Sequence, residues 1–231
     1  MISVLFDLPP APSLEIIGRE ARFPVNRIFC VGRNYEAHAK EMGDAADREE
    51  PIYFTKSSAA VCHSGATIPY PPGTANCHYE VELVVAIGAP AFRIAEADAL
   101  SVVAAYGIGI DLTRRDLQNA AKDRGRPWDT GKDFENAAVL GRLTPSTSFT
   151  VADQRIALTQ NGESRQEAVI SDMIWSVPEL IADLSRLYHL VPGDLIYTGT
   201  PAGVGPIAAG DTLVGTIDGL DDLVITIGPA E

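Results

Sequence analysis

The sequence predicts a β-rich fold, mainly β or α+β, with a few short helices. Short apolar runs bounded by glycine, proline or aspartate outnumber the amphipathic helical stretches. Beyond Gly193 the chain consists only of such runs. The proline-rich stretch 66–73 cannot form a central strand, because proline removes ladder hydrogen-bond donors. We expect strands over the following ranges: 28–32, 52–55, 79–88, 105–111, 195–199, 212–218 and 223–228.

The chain length of 231 residues fits one main domain. We expect a small N-terminal segment over residues 1–22, which ends before Phe23-Pro24, and one main domain over residues 23–231. The N-terminus lacks a basic region, and no apolar stretch approaches the ~20 residues of a membrane span. Three cysteines without a CxxC pair indicate a reducing cytoplasm rather than a disulfide framework.

Three stretches are expected to be helical. Residues 34–42 contain good helix formers after Asn34, a potential N-cap. Residues 113–125 begin with Thr113 and Asp116 at capping-box spacing. Residues 176–189 begin with a Ser176–Glu179 capping box. Their predicted apolar face comprises Leu180, Ile181, Leu184, Leu187 and Tyr188.

The net charge of −13 argues against two classes of partner. Nucleic acid and anionic membranes both require a basic surface, which this composition does not supply. A small anionic substrate is still compatible, because a bound divalent cation and a few local basic side chains reverse the sign of one pocket.

Two carboxylates at alternate positions mark the strand over 79–88. Glu80 and Glu82 point to the same face, because successive side chains of a strand alternate. Asp111 ends a second apolar strand about thirty residues later. If the two strands are neighbours, three oxygen ligands converge. Such ligands suit Mg²⁺ or Mn²⁺, and also Ca²⁺, better than zinc.

Spacing alone leaves alternatives open for this cluster. Glu80 and Glu82 also fit the water-facing side of an antiparallel strand, and Asp111 also fits a cap for the following helix. A zinc site that uses Cys77 and His78 is disfavoured, because adjacent residues of a strand face opposite ways.

Other polar residues have both a chemical and an ordinary interpretation. His38 and Glu41 share a helix face, so the carboxylate could orient the imidazole as a general base, or the pair could simply be solvated. Lys132 lies in a polar turn, where a surface role is common. The loop TGTPAGVG (198–205) could offer N–H groups to a carboxylate, or serve only as a turn.

Several long motifs occur in one order. They are CVGRNYEAHAKEMG, PIYFTK, HYEVELVVAIG, GIDLTRRDLQ, RPWDTGKDF, NGESRQE and GDLIYTGTPAGVG. With these motifs, residues 25 to 228 resemble the fumarylacetoacetate hydrolase family, and most of all its short acylpyruvase and fumarylpyruvate hydrolase branch. The resemblance implies a mixed β-sandwich roll, usually a homodimer, that acts on a small anionic oxo acid.

The resemblance also implies roles for individual residues. His38 and Glu41 would activate water from a lid helix, and Lys132 would face the reacting carbonyl. One Mg²⁺ or Mn²⁺ would be held by Glu80, Glu82 and Asp111. Substrate oxygens would be bound by Arg115, Gln118 and Thr200. For a distal carboxylate, the sequence offers Arg33 and Lys56 as candidate partners.

The implied reaction is hydrolysis of a carbon–carbon bond in a 2,4-dioxo acid such as fumarylpyruvate, which yields fumarate and pyruvate. Oxaloacetate decarboxylation and isomerisation of an unsaturated oxo-diacid are alternatives on the same site, because they share an enolate but need no water attack. The chain departs from the branch at Ser57, Tyr79 and Gly131, where proline, histidine and alanine are common.

Overall fold

A computed structural model describes residues 5–41, 43, 48 and 50–231. The prediction of a β-rich chain with few helices is confirmed. The strands are β1 Ser13–Leu14, β2 Phe23–Pro24, β3 Ile28–Gly32, β4 Ile52–Lys56, β5 Val61–His63, β6 Thr67–Tyr70, β7 Cys77–Tyr79, β8 Val81–Ile87, β9 Val103–Asp111, β10 Thr113–Arg114, β11 Ala138–Leu140, β12 Thr144–Pro145, β13 Arg155–Gln160, β14 Glu163–Val169, β15 Leu195–Tyr197, β16 Gly205–Pro206, β17 Thr212–Ile217 and β18 Leu223–Ala230.

The helical part of the described chain is small. The α-helices are α1 Glu36–Glu41, α2 Arg115–Asp123, α3 Asp129–Lys132 and α4 Val177–Leu187. Short 3₁₀ helices cover Ser58–Ala60, Glu96–Val102 and Ile170–Asp172. All of these helices are too short or too polar to cross a bilayer.

The centre of the molecule is an eight-stranded mixed sheet. Its order is β4-β3-β15-β8-β9-β11-β5, with β12 paired to β9. Strands β8 and β9 pair antiparallel over almost their whole length, from Val81↔Ile110 to Ile87↔Val103. Every residue of β8 is buried, so both faces of this strand are covered. The two strands that carry the predicted metal ligands are therefore neighbours in the core.

A five-stranded sheet covers one face of the central sheet. Its order is β14-β13-β17-β18-β6. The sheets approach closely at Gly215, where an added Cβ would lie 3.1 Å from Val81 and 3.3 Å from Ile108. Strand β6, which contains Pro69, lies at the edge and pairs only with β18 among the described strands. This position agrees with the expectation that the proline-rich stretch is not a central strand.

The N-terminal segment is joined to the main body by backbone pairing. Strand β1 pairs with β2, and Ile17 N donates to Leu143 O at 2.9 Å. Leu143 N donates in turn to Glu15 O at 2.8 Å. The proposed boundary at residue 22 stays a prediction, and residues 1–4 of the segment lie outside the described residues.

Two of the predicted helix starts are wrong. Thr113 lies in β10 and α2 begins at Arg115, because the Thr113 hydroxyl and the Asp116 carboxylate bond other segments instead of forming a capping box. Asn34 does not cap α1, which begins at Glu36. Its amide joins Trp175 to Thr198 instead. Position 42 of the predicted helix lies outside the described residues.

Helix α4 agrees with its predicted start but not with its predicted face. The capping box between Ser176 and Glu179 is present. Leu180, Ile181 and Leu184 are fully buried. The predicted face extends too far, because the helix ends at Leu187, which is 62% exposed, and Tyr188 follows at 41%.

This difference gives a test within one helix. Leu184→Ala is expected to lower the free energy of unfolding by about 2–5 kcal/mol, since it opens a cavity in the core. Leu187→Ala is the matched control and should change it by less than about 0.5 kcal/mol, as surface substitutions do. Urea unfolding of both variants measures the two values. Equal losses would contradict the observed burial.

Candidate metal centre and active site

Glu80, Glu82 and Asp111 form one buried cluster. Glu80 lies between β7 and β8, and its carbonyl accepts the Asp111 N–H at 2.9 Å, which brings the two strand ends together. One carboxylate oxygen from each residue lies within 4.8 Å of the others. Glu80 is 5%, Glu82 1% and Asp111 0% exposed. The interpretations of a water-facing strand and a helix cap are therefore wrong for these residues.

Three cations compensate the buried carboxylates. Lys132 Nζ donates to Glu80 Oε2 at 2.8 Å, to Asp111 Oδ2 at 2.7 Å and to Thr113 Oγ1 at 2.6 Å. Arg115 is bonded to the other Glu80 oxygen, and Lys56 Nζ lies 2.7 Å from Asp111 Oδ1. Because a buried charge without a partner is costly, these contacts explain why the protein core can hold three carboxylates.

The electrostatics differ among the members of the cluster. Burial raises the pKa of Glu80, but Lys132 and Arg115 more than offset it and lower that pKa below its usual value. Burial, together with the Asp111 and Glu80 carboxylates, raises the pKa of Glu82 well above its usual value. Burial opposes the charge of Lys132, yet Asp111 and Glu80 raise the pKa of Lys132, so it stays protonated.

The donor set fits one hard divalent cation. All three ligands are carboxylate oxygens, which Mg²⁺, Mn²⁺ and Ca²⁺ prefer. Burial and the neighbouring carboxylates oppose ionisation of the Glu82 carboxyl. A divalent cation bound beside it would favour the ionised form. Cys77 and His78 are not part of the cluster. Among the described residues, no group with metal-ligand spacing contains Cys77 or His78, so the zinc alternative is wrong for that part of the chain.

Helix α1 places a histidine–carboxylate pair beside this cluster. His38 is 6% exposed, and its Nδ1 lies 3.2 Å from Glu41 Oε2. Both Glu41 oxygens accept the Gly203 N–H at 3.1 Å. The pair is therefore held by the loop 198–205 and is not simply solvated. The same loop reaches the metal cluster, because Gly199 N donates to Glu82 Oε2 at 2.6 Å.

One pocket brings together most of the predicted site residues. It is lined by Arg33, His38, Glu80, Glu82, Arg115, Gln118, Lys132 and Thr200. Glu41 and Asp111 lie behind this lining and contact His38 and Lys132. Five further lining residues were not predicted: Val31, Gly32, Phe54, Lys122 and Trp128. No polar pattern in the sequence distinguishes these positions, because apolar, aromatic and basic side chains are common outside sites.

Lys56 does not line the pocket, so its predicted role is wrong. It was a candidate partner for a distal substrate carboxylate, but its ammonium is fully buried against Asp111 and donates to Leu112 O at 3.2 Å. It therefore supports the carboxylate cluster from behind. Arg33 does line the pocket, and its role toward a distal substrate carboxylate stays a prediction.

The structure shows the surroundings of all three residues that depart from the family pattern. The Ser57 N–H donates to Asp133 Oδ1 at 2.9 Å, a bond that proline could not make. A Cβ at Gly131 would lie 2.9 Å from Gln118 N, so glycine permits α3 to approach α2 closely. Tyr79 is buried under Gly205, whose added Cβ would lie 2.7 Å from the tyrosine hydroxyl.

Comparison with known proteins shows similar chains along nearly the whole length. Fumarylpyruvate hydrolase of Ralstonia sp is 50% identical over 192 residues, which cover 82% of this chain and 100% of that protein. Oxaloacetate tautomerase YcgM of Escherichia coli (strain K12) is 41% identical, over 85% of this chain and 90% of that one.

A solved structure matches the fold closely. Fumarylpyruvate hydrolase from Pseudomonas aeruginosa, crystallised in complex with Mn²⁺ and pyruvate, superimposes with a TM-score of 0.95 at 43% identity. The match covers 98% of this chain and 100% of that chain. Residues 27–228 also match the family described as Fumarylacetoacetate (FAA) hydrolase C-terminal. With its mixed β-sandwich fold and buried carboxylate cluster, the chain belongs to the fumarylacetoacetate hydrolase family.

Proposed function

We propose that this protein hydrolyses a carbon–carbon bond in a 2,4-dioxo acid such as fumarylpyruvate and releases fumarate and pyruvate. The observation that carries the proposal is the buried Glu80–Glu82–Asp111 cluster in the same pocket as His38. The similar protein from Ralstonia sp is a fumarylpyruvate hydrolase, and the Pseudomonas aeruginosa structure holds Mn²⁺ and pyruvate.

Glu80, Glu82 and Asp111 would hold one Mg²⁺ or Mn²⁺. Such an ion, when bound, supplies positive charge at the oxygens where the pyruvate enolate develops its negative charge. Arg115 keeps Glu80 oriented by bonding one oxygen while Lys132 bonds the other. The protein therefore contributes preorganised carboxylates whose positions do not depend on solvent.

His38 would remove the proton from the attacking water. Its Nδ1 faces Glu41, so the Nδ1–H donates to that carboxylate and Nε2 carries the lone pair. Glu41 is itself oriented by the Gly203 N–H. A positioned general base of this kind contributes about 10²–10⁴-fold to a rate.

Lys132 would stabilise the oxyanion that forms at the attacked carbonyl. Its raised pKa keeps the ammonium charged in the buried site. All three of its hydrogens are directed to Glu80, Asp111 and Thr113. Lys132 thus acts first by its charge, and it offers a hydrogen bond to the oxyanion on releasing one of these oxygens.

Other lining residues would hold the substrate carboxylates. Gln118 Oε1 accepts from Arg115 Nη1 at 2.5 Å, so the Gln118 NH₂ group faces away from Arg115. Thr200 and Gln118 would bind the oxygens of the pyruvate half. Arg33 and Lys122 line the same pocket and would attract the distal carboxylate of fumarylpyruvate.

Tautomerisation of oxaloacetate is a second candidate, favoured by the similarity to the Escherichia coli tautomerase. That reaction moves a proton on the same type of enolate and needs no water attack. The same holds for water attack in decarboxylation and isomerisation, the two alternatives named from the sequence. We further propose that the protein is a homodimer, which the family resemblance implies, and that it works in the cytoplasm, where its three free cysteines would stay reduced.

The metal proposal predicts that pyruvate release from acylpyruvates requires a divalent cation. EDTA should abolish the release, and Mn²⁺ should restore it and raise the melting temperature, because a ligand that binds only the folded state stabilises it. Glu82→Gln should lose Mn²⁺ binding, measured by electron paramagnetic resonance. Glu163→Gln, which changes an exposed carboxylate, is the control. Full turnover in EDTA would refute the metal role.

The general-base proposal predicts a selective effect of His38→Ala. Hydrolysis of fumarylpyruvate should fall by about 10²–10⁴-fold, since water attack needs the base. Mn²⁺ affinity should not change. Decarboxylation of oxaloacetate, followed as pyruvate release, should fall much less, because loss of CO₂ needs no proton abstraction. His63→Ala, at the exposed last position of β5, should behave as the wild type in all assays. Undiminished hydrolysis by His38→Ala would rule out His38.

The distal-carboxylate proposal predicts a change in substrate preference. Lys122→Met should lower kcat/KM for fumarylpyruvate by about 10-fold, because it removes a charge-assisted contact. The value for acetylpyruvate, which has no second carboxylate, should not change. Arg33→Met should act in the same direction. Arg124→Met, just after the same helix, is the matched control. Equal losses on both substrates would contradict this assignment.

A further inference from the structure

Gln166 lies between the metal-ligand strand and the loop that carries Thr200. It belongs to β14, and it is fully buried although its neighbours Arg165 and Glu167 are exposed. Its Nε2 donates to Thr200 Oγ1 and to Pro201 O, each at 2.8 Å. Its Oε1 accepts the N–H of Val81 at 3.0 Å. Val81 stands between the metal-ligand candidates Glu80 and Glu82.

The position of Gln166 follows from the sheet. Strand β15 pairs with β8 only from Ala86 to Val84, and Thr198 N still reaches Leu83 O at 3.1 Å. Among the described residues no β15–β8 pair follows Tyr197↔Val84, and the Val81 N–H donates to Gln166 Oε1 instead of to a neighbouring strand. The Gln166 amide fills the gap, so it joins the start of β8 to the 198–205 loop.

The orientation of this amide is determined by backbone groups. The Val81 N–H is only a donor, so it must face the amide oxygen of Gln166. The Pro201 carbonyl is only an acceptor, so it must face the amide nitrogen. The remaining N–H of Gln166 therefore points at the Thr200 hydroxyl as a donor.

This donation defines what Thr200 offers to the pocket. A hydroxyl has one hydrogen and two lone pairs. Because one lone pair of Thr200 accepts from Gln166, the Thr200 hydrogen must point elsewhere. Thr200 is 3% exposed and lines the pocket beside Glu82 and Arg115, so the remaining direction includes the substrate space. A donor there suits a carboxylate, which is only an acceptor.

We propose that Gln166 is a positioning residue that makes the Thr200 hydroxyl a hydrogen-bond donor to the carboxylate of the 2-oxo acid. The inference rests on the proposed function, in which Thr200 binds that carboxylate. Gln166 acts through Thr200, because it is fully buried and is not one of the residues that line the pocket. Its contribution is to substrate binding and leaves the chemical step largely intact.

The test is a double-substitution cycle with Gln166→Met and Thr200→Val, each protein loaded with Mn²⁺. Titration calorimetry with pyruvate gives the dissociation constant, and fumarylpyruvate turnover gives KM and kcat separately. Gln166→Met should weaken pyruvate binding and raise KM by about 10-fold, with kcat changed by less than about 3-fold. In the Thr200→Val background, Gln166→Met should have no further effect on either constant.

Two controls distinguish positioning from general damage. Gln160→Met removes an amide that also bonds a backbone carbonyl, that of Pro206, but does not contact Thr200, so its pyruvate affinity should equal that of the wild type. Mn²⁺ affinity should be the same in all variants. If Gln166→Met does not fold, Gln166→Glu serves instead. Its carboxyl group still accepts from Val81 but carries at most one hydrogen, which the Pro201 carbonyl takes, so the Thr200 hydroxyl turns toward it and pyruvate should again bind more weakly.

The results separate this inference from the proposed function. Wild-type protein that binds pyruvate but hydrolyses no acylpyruvate overturns the hydrolase proposal, while the binding cycle still tests Gln166. Unchanged pyruvate affinity in Gln166→Met, or in Gln166→Glu where that variant is used, overturns the role of Gln166. Losses that add fully to those of Thr200→Val also overturn it, since they would not pass through the hydroxyl.

Discussion

The burial of three carboxylates on two paired strands is the constraint on which the rest of the site depends. Glu80, Glu82 and Asp111 are almost fully removed from solvent. In the protein interior, their like charges repel strongly. Their tolerance requires nearby positive charge. Lys132 and Arg115 supply it from the helical region after β9, and Lys56 supplies it from β4. A divalent cation adds to this arrangement and does not have to replace it.

The loop 198–205 connects the three parts of the site. Gly199 donates to Glu82, Gly203 donates to Glu41, and Thr200 accepts from Gln166. These contacts require glycine at Gly203, which has a φ of +95° and lies so close to Arg165 that a Cβ would be 2.0 Å from its carbonyl oxygen. The loop thus sets the spacing between the carboxylate cluster, the proposed base and Thr200.

The sequence patterns predicted part of the strands, but they missed others such as β13 and β14, and they predicted the helix boundaries poorly. Apolar runs such as 28–32 form strands because their burial on both faces leaves few other conformations. The spacing of Thr113 and Asp116 was misleading, because both side chains bond partners from distant segments, Lys132 and Thr74. A local motif does not reveal such competition. Leu187 was assigned to the buried face, but it is the last residue of α4 and is exposed.

The family could be identified from the order of the motifs, and most of the site residues predicted from those motifs lie in one pocket. Alternation along a strand was enough to place Glu80 and Glu82 on one face. Their burial, the position of Lys56 behind Asp111, and the contact of Gln166 with Thr200 depend on segments far apart in the chain. Strand pairing and sheet packing bring these segments together, and no local pattern encodes those distances.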